Sequence, residues 1–231
     1  MKRITLFAGH YGSGKTNLAV NYALRLRRDF PRVVIADLDI VNPYFRTLDS
    51  AAELKAAGVE VVVSKYANSN VDFPALPKEA YALMAAGGGG EAPRVVIDVG
   101  GDDRGALALG RYVPEIVAEG DYELLGVVNA CRPLTATAAD AVATLREIAA
   151  AARLDFTGIV NNTNLGPATT AATVLSSGAY AEEVARALGV EVRFTACDAR
   201  LADELVGRVP GLFPLALQRL YYHFADGVNM V

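Results

Sequence analysis

The octapeptide Gly9-His10-Tyr11-Gly12-Ser13-Gly14-Lys15-Thr16 restricts this chain more than any other segment, because it fits G-x-x-x-x-G-K-S/T, a pattern that works in one local setting. Such a loop must join a buried strand to the first turn of a helix. There its successive N–H groups curl inward around an anion and the helix N-terminus adds a positive dipole. Both neighbours are present: the apolar run Ile4–Ala8 precedes the loop, and helical periodicity over Lys15–Arg28 follows it. Gly9, Gly12, Ser13 and Gly14 form the phosphate cradle, Lys15 bridges β- and γ-phosphate oxygens, and the Thr16 hydroxyl ligates Mg²⁺. Asn17, on the same turn, belongs to the nucleotide-binding set. A glycine turn that merely links strand to helix leaves the pairing of Lys15 with Thr16 unexplained.

Further β-branched runs occur at Val33–Ala36, Val59–Val63, Val95–Val99, Leu124–Val128, Gly158–Val160 and Val190–Phe194. They are continuous rather than alternating, as expected of parallel strands covered by helices on both faces. The fold class is therefore α/β: a doubly wound, mostly parallel sheet in three layers, the P-loop NTPase fold. Periodicity predicts helices over Asp103–Glu119, Thr135–Arg153 and Ala179–Leu188, then two C-terminal helices over Leu201–Val206 and Leu215–Phe224. The glycine-rich stretch Ala85–Glu91 reads as a flexible loop. With 52% hydrophobic residues, no repeat and no compositional boundary, residues 1–231 form a single nucleotide-binding domain.

In such sheets ligands collect beyond the carboxyl ends of the strands. Asp37 and Asp39 follow the second strand; Asp37 would orient or deprotonate the attacking water, and Asp39 would support the metal shell, the alternative being a strand-end turn with helix caps. Asn42-Pro43 marks a helix start, with Arg46 on its first turn as a surface residue. Asp98 ends the strand Val95–Asp98 in the Walker B arrangement and would hold Mg²⁺ through water, while the N–H of Gly101 would approach the γ-phosphate. Asp102 and Asp103 cap the following helix. Asn161 and Asn162 end a later strand with amides able to match a purine edge, although asparagines also close ordinary turns. No Asn-Lys-x-Asp guanine signature appears, which favours ATP over GTP.

Twenty-two Lys and Arg against 26 Asp and Glu leave a net charge of −4, so no overall field draws the chain to nucleic acid or anionic lipid. The uncharged stretch Phe156–Ala181 is broken by asparagines and Pro167, and no membrane insertion is expected. Cys131 and Cys197 are isolated and expected to be buried, the mark of a reduced, cytoplasmic protein without a signal segment. Only His10 and His223 are available, which argues against serine–histidine hydrolysis and histidine-rich metal sites.

From Ile4 to about Asp203 the chain resembles the MinD/ParA-like branch of P-loop ATPases, the SIMIBI class that also holds nitrogenase iron protein and cobyrinic acid a,c-diamide synthase. The resemblance rests on Gly9–Thr16, Asp37-x-Asp39 with Asn42-Pro43, Asp98-x-x-Gly101 and Asn162. It implies phosphate binding by Lys15, water activation by Asp37, adenine reading by Asn162 and a nucleotide-dependent homodimer. Dimerising members carry a lysine after the first loop glycine, where this chain has His10, and Val95–Gly101 holds none of the cluster cysteines of nitrogenase iron protein. The C-terminal segment Leu215–Phe224, with a single arginine, is expected to dock on its own core rather than on a membrane. The leading expectation is a Mg²⁺-dependent ATPase whose cycle switches shape or self-association and acts on a client protein. The alternatives are an ATP-dependent ligase of a small carboxylic acid, like dethiobiotin synthetase, and a poorly hydrolysing nucleotide sensor.

Overall fold

The computed structural model describes residues 1–38, 50–63, 92–101 and 103–217. Its strands are β1 (Ile4–Ala8), β2 (Val33–Asp37), β3 (Glu60–Val63), β4 (Arg94–Asp98), β5 (Tyr122–Val128), β6 (Gly158–Asn161), β7 (Val192–Asp198) and β8 (Leu212–Leu215). They form one sheet in the order β3-β2-β4-β1-β5-β6-β7-β8, parallel throughout. The described helices are α1 (Lys15–Asp29), α2 (Ala51–Ala56), α3 (Asp103–Gly110), α4 (Val113–Glu119), α5 (Ala138–Ala152), α6 (Ala171–Ser176), α7 (Gly178–Leu188) and α8 (Ala202–Leu205).

Strand residues alternate between the two faces, and each face has its own core. Ile4, Leu6 and Ala8 pack with Leu109 of α3, Ile116 of α4, Leu145 of α5 and Val184 of α7. Phe7, Ile35 and Val127 pack on the opposite face with α1. That helix buries Leu18, Ala19, Tyr22, Ala23 and Leu26, a stripe of period near 3.6. Leu18 and Leu26 each contribute roughly 1.5–3 kcal/mol by leaving water, and the Tyr22 ring meets Phe7 edge-on at 5.2 Å. The expected three-layer α/β architecture is the one observed.

Several expected boundaries move, each for a physical reason. Asp103–Glu119 is two helices rather than one, because Pro114 has no N–H to give the Gly110 carbonyl four residues back and its ring clashes there. The helix expected from Thr135 starts at Ala138. Thr137 caps it by accepting from the Asp140 N–H at 3.2 Å, while Thr135 lies in a preceding 3₁₀ turn. The strand expected over Val190–Phe194 is β7, which runs to Asp198, and Leu201–Val206 contracts to the 3₁₀ turn Ala199–Leu201 and α8. Leu215 closes strand β8 instead of opening a helix. Proline at position 214 is tolerated because β8 is the sheet edge, and the Phe213 ring meets Phe194 at 5.1 Å with the planes tilted by 39°. Helices α2 and α6 were not anticipated. The helix expected at Asn42-Pro43, the loop Ala85–Glu91, Asp102 and most of the segment Leu215–Phe224 lie outside the described residues. No described helix is long and apolar enough to cross a membrane.

Candidate functional site

At the carboxyl end of β1 the chain turns through Gly9–Gly14 into α1. Gly12 and Gly14 hold φ of +78° and +87°, the left-handed region that glycine enters without strain. Gly9 is required by close approach, since a Cβ there would lie 2.4 Å from the Val127 carbonyl oxygen, an atom of the neighbouring strand that cannot yield. Lys15 is buried in the loop's concavity, its Nζ donating to the His10 carbonyl at 3.3 Å. The Ser13 hydroxyl is buried without a hydrogen-bond partner among the described residues, a cost that a ligand oxygen in the loop would relieve.

The parallel register then delivers the carboxylates. Asp37 of β2 stands directly beside Asp98 of β4, and Asp98 beside Phe7 of β1, so both acids reach the ligand edge of the sheet next to the loop. The Thr16 hydroxyl donates to Asp98 Oδ2 at 2.6 Å. With its proton turned toward the carboxylate, the hydroxyl oxygen keeps its lone pairs for a cation, and hydroxyl plus carboxylate is the hard donor set Mg²⁺ prefers. These residues fit a Mg²⁺ completed by nucleotide oxygens and water. Asp39 lies outside the described residues.

Gly101 backs the loop so closely that a Cβ would sit 2.7 Å from the Tyr11 nitrogen and 2.8 Å from Lys15 Nζ. Gly101→Ala is therefore expected to displace the lysine and weaken binding of a phosphate-bearing ligand, tested with Mg-ATP, by about tenfold, the scale of a small overpacking penalty. Titration calorimetry checks this beside an unchanged far-UV spectrum.

From the loop a cleft of about 860 Å³ runs across the strand ends toward β7, a size suited to a mononucleotide. His10, Gly12, Lys15 and Thr16 line one end, and Asn162, Asn164, Pro167, Cys197 and Asp198 line the other. The two strand-end asparagines separate. Asn161 turns away and donates to Ser177 Oγ at 2.8 Å, at the joint between α6 and α7. Asn162 faces the cleft, its Nδ2 donating to the Ser13 carbonyl at 2.7 Å, so it ties the far end of the cleft to the phosphate loop. Asn17 and Thr16 also line the cleft.

Four contributions were not anticipated. Arg132, just past β5, donates from Nε to the Gly12 carbonyl at 2.8 Å. Asn129 organises that loop by accepting from the Cys131 and Asn164 amides at 2.9 and 3.3 Å. Asp198 at the end of β7 accepts from the Arg200 amide at 3.0 Å and from Arg200 Nε at 2.8 Å. Arg200 in turn donates to the carbonyls of Pro167 and Thr169, fixing the cleft's outer wall. Each of Arg132, Asn129 and Asp198 stands at or just past a strand's carboxyl end, the signal that singled out Asp37 and Asp98.

The cysteines are unpaired. Cys131 is only half-buried, contrary to expectation, because it sits in the loop after β5. Cys197 is buried; desolvation first, then the Asp198 charge, pushes its thiol above the ordinary range, which disfavours a nucleophilic thiolate.

No family model and no curated protein matches the sequence. Solved structures do. FtsY from Mycoplasma mycoides aligns over 85% of this chain and 61% of its own length at 17% identity and TM-score 0.56. The signal recognition particle 54 kDa protein from Aeropyrum pernix K1, solved in complex with GDP, aligns over 83% of this chain and 40% of its own length at 19% identity and TM-score 0.52. FtsY from Thermotoga maritima aligns over 84% of this chain and 60% of its own length at 18% identity and TM-score 0.50. This chain thus spans less than two thirds of each. With the parallel eight-stranded sheet and the loop between β1 and α1, these likenesses identify the architecture: the chain has the P-loop NTPase fold.

Proposed function

We propose that this chain is a Mg²⁺-dependent ATPase of the MinD/ParA kind, acting as one domain in the cytoplasm, whose hydrolysis cycle changes its shape or self-association and so acts on a client protein. The observation that carries nucleotide hydrolysis is the convergence at the loop. Lys15 is buried within it, Thr16 is bonded to Asp98, and Asp37 is in register one strand away. Main-chain amides of Gly9–Gly14 and the dipole of α1 bind the phosphates, and Lys15 neutralises the β- and γ-oxygens. Thr16 and Asp98 would hold the Mg²⁺, which when bound offsets charge developing on the leaving phosphate oxygens. Asp37 accepts a proton from the attacking water.

The preference for adenine rests on the cleft's far end. A carboxylate is the side chain best matched to guanine, since its two oxygens can accept from the base's N1–H and N2–H₂ together. Asp198 is the one carboxylate among the described lining residues, and Arg200 engages both of its oxygens. Asn162 lines the cleft with its Nδ2 held by the Ser13 carbonyl, and its amide oxygen is the acceptor we assign to the adenine N6 amine. GDP in the Aeropyrum pernix relative makes the comparison worth testing directly. Calorimetry with Mg-ATP and Mg-GTP is expected to show at least about tenfold tighter binding of ATP, the worth of one bidentate hydrogen-bonding difference. Tighter GTP binding would overturn the base assignment, and no heat with either would overturn the nucleotide reading. Slow turnover raised by a partner supports the switch; turnover that begins only when a carboxylic acid is added supports the ligase.

A further inference from the structure

We propose that Arg132 is a phosphate-contacting residue of the nucleotide site, supplying from the chain's own β5–α5 loop a second permanent cation to the triphosphate. The inference rests on the reading of the cleft as a nucleoside triphosphate site and adds to it a residue outside the G-x-x-x-x-G-K-S/T loop.

Three observations carry it. The first is charge. A triphosphate brings several negative charges, and among the described residues lining the cleft the permanent cations are Lys15 and Arg132. The third basic side chain, His10, turns its Nδ1 back to the Tyr11 carbonyl at 2.9 Å and so folds onto its own loop.

The second is unspent hydrogen-bonding capacity. A guanidinium has five N–H donors, and Arg132 uses Nε on the Gly12 carbonyl. Among the described residues no carboxylate pairs with it, whereas Arg3, Arg32, Arg193 and Arg200 each meet one. The remaining edge of the fork matches the geometry of a phosphate.

The third is that the turn carrying the arginine is braced before any ligand arrives, with the guanidinium itself anchored by Nε on the Gly12 carbonyl. The Arg132 amide donates to the Asn129 carbonyl at 3.2 Å, and the Thr135 hydroxyl donates to that same carbonyl at 2.9 Å. The Tyr180 hydroxyl fastens the turn from outside by donating to the Thr135 carbonyl at 2.7 Å. A charge fixed in this way costs little reorganisation when phosphate charge builds up.

Charge and brace are separable by substitution. Arg132→Lys keeps a cation, and Arg132→Gln keeps hydrogen-bond donors without charge. Affinity for Mg-ATP is measured by calorimetry at low and high NaCl, and phosphate release in single turnover, on the full chain. Arg132→Gln is expected to lose on the order of tenfold in affinity and to show a flatter salt dependence, while Arg132→Lys stays within about threefold of wild type. Wild-type affinity in Arg132→Gln overturns the proposal. So does an equal loss in both variants with unchanged salt dependence, which would make Arg132 a brace for Gly12. If the wild-type chain binds no Mg-ATP, the nucleotide reading itself has failed, an outcome visible before either variant is made.

Discussion

Lys15→Ala is expected to lower affinity for Mg-ATP by on the order of 100-fold or more while leaving the fold intact. The side chain is 5% exposed and ends inside the ring of loop amides, with Nζ already drawn to the His10 carbonyl. Bridging two phosphate oxygens replaces that contact with two charge-assisted hydrogen bonds of about 1.5–3 kcal/mol each. Their sum is worth at least two factors of ten at roughly 1.4 kcal/mol per factor. Alanine at the first position of α1 costs the helix nothing, because alanine has the highest helix propensity and the lysine makes no contribution to the apolar stripe. Lys15→Arg should fail nearly as badly. With Gly101 so near that even a methyl group would stand 2.8 Å from Nζ, the ring has no room for a planar guanidinium. Calorimetry and thermal melts run together separate lost binding from lost fold, and near-normal affinity in Lys15→Ala would remove the loop from the mechanism.

What the sequence displays openly is whatever depends on neighbours in the chain. Gly9–Thr16 is legible because glycines, lysine and threonine must stand at fixed spacing within one turn, and β1, β2 and β4 because buried parallel strands are continuous apolar runs. Asp98 follows from the end of such a run. Arg132 is hidden because its meaning arises only against Gly12, 120 residues earlier, once β5 has been laid beside β1. Asp198 is hidden for a different reason: ending the strand at Phe194 leaves it four residues short of the ligand edge, although β7 pairs through Asp198 with β8. Strand β8 itself is masked by Pro214, which forbids a central strand but not an edge one. The asparagine pair shows the limit of reading residue type without register. Asn161 and Asn162 look alike in sequence, yet Asn161 closes β6 and Asn162 is the first residue past it, and their side chains face opposite ways, so one stitches helices together and the other meets the cleft.

Asp37→Asn should separate binding from chemistry. Asparagine is nearly isosteric, so the close packing around a residue 7% exposed at the end of β2 is preserved. The carboxylate's distinctive capacity is to accept a proton, and the amide lacks it. If Asp37 takes the proton from the attacking water, single-turnover phosphate release falls by on the order of 10²–10⁴-fold, the usual contribution of a positioned general base. Affinity for Mg-ATP is expected to change by less than about threefold, because the groups assigned to the phosphates, the loop amides and Lys15, follow β1, two strands from β2 in the order β2-β4-β1. Removing a negative charge beside a triphosphate, if anything, favours ground-state binding. The register that seats Asp37 beside Asp98 also supplies the control. Asp98→Asn is expected to weaken Mg²⁺-dependent binding as well as turnover, since Asp98 accepts from Thr16 at the metal side of the site. Equal turnover in wild type and Asp37→Asn would return Asp37 to a strand-end structural role and pass water activation to another group. Loss of affinity matching the loss of turnover would instead place Asp37 with Asp98 on the metal.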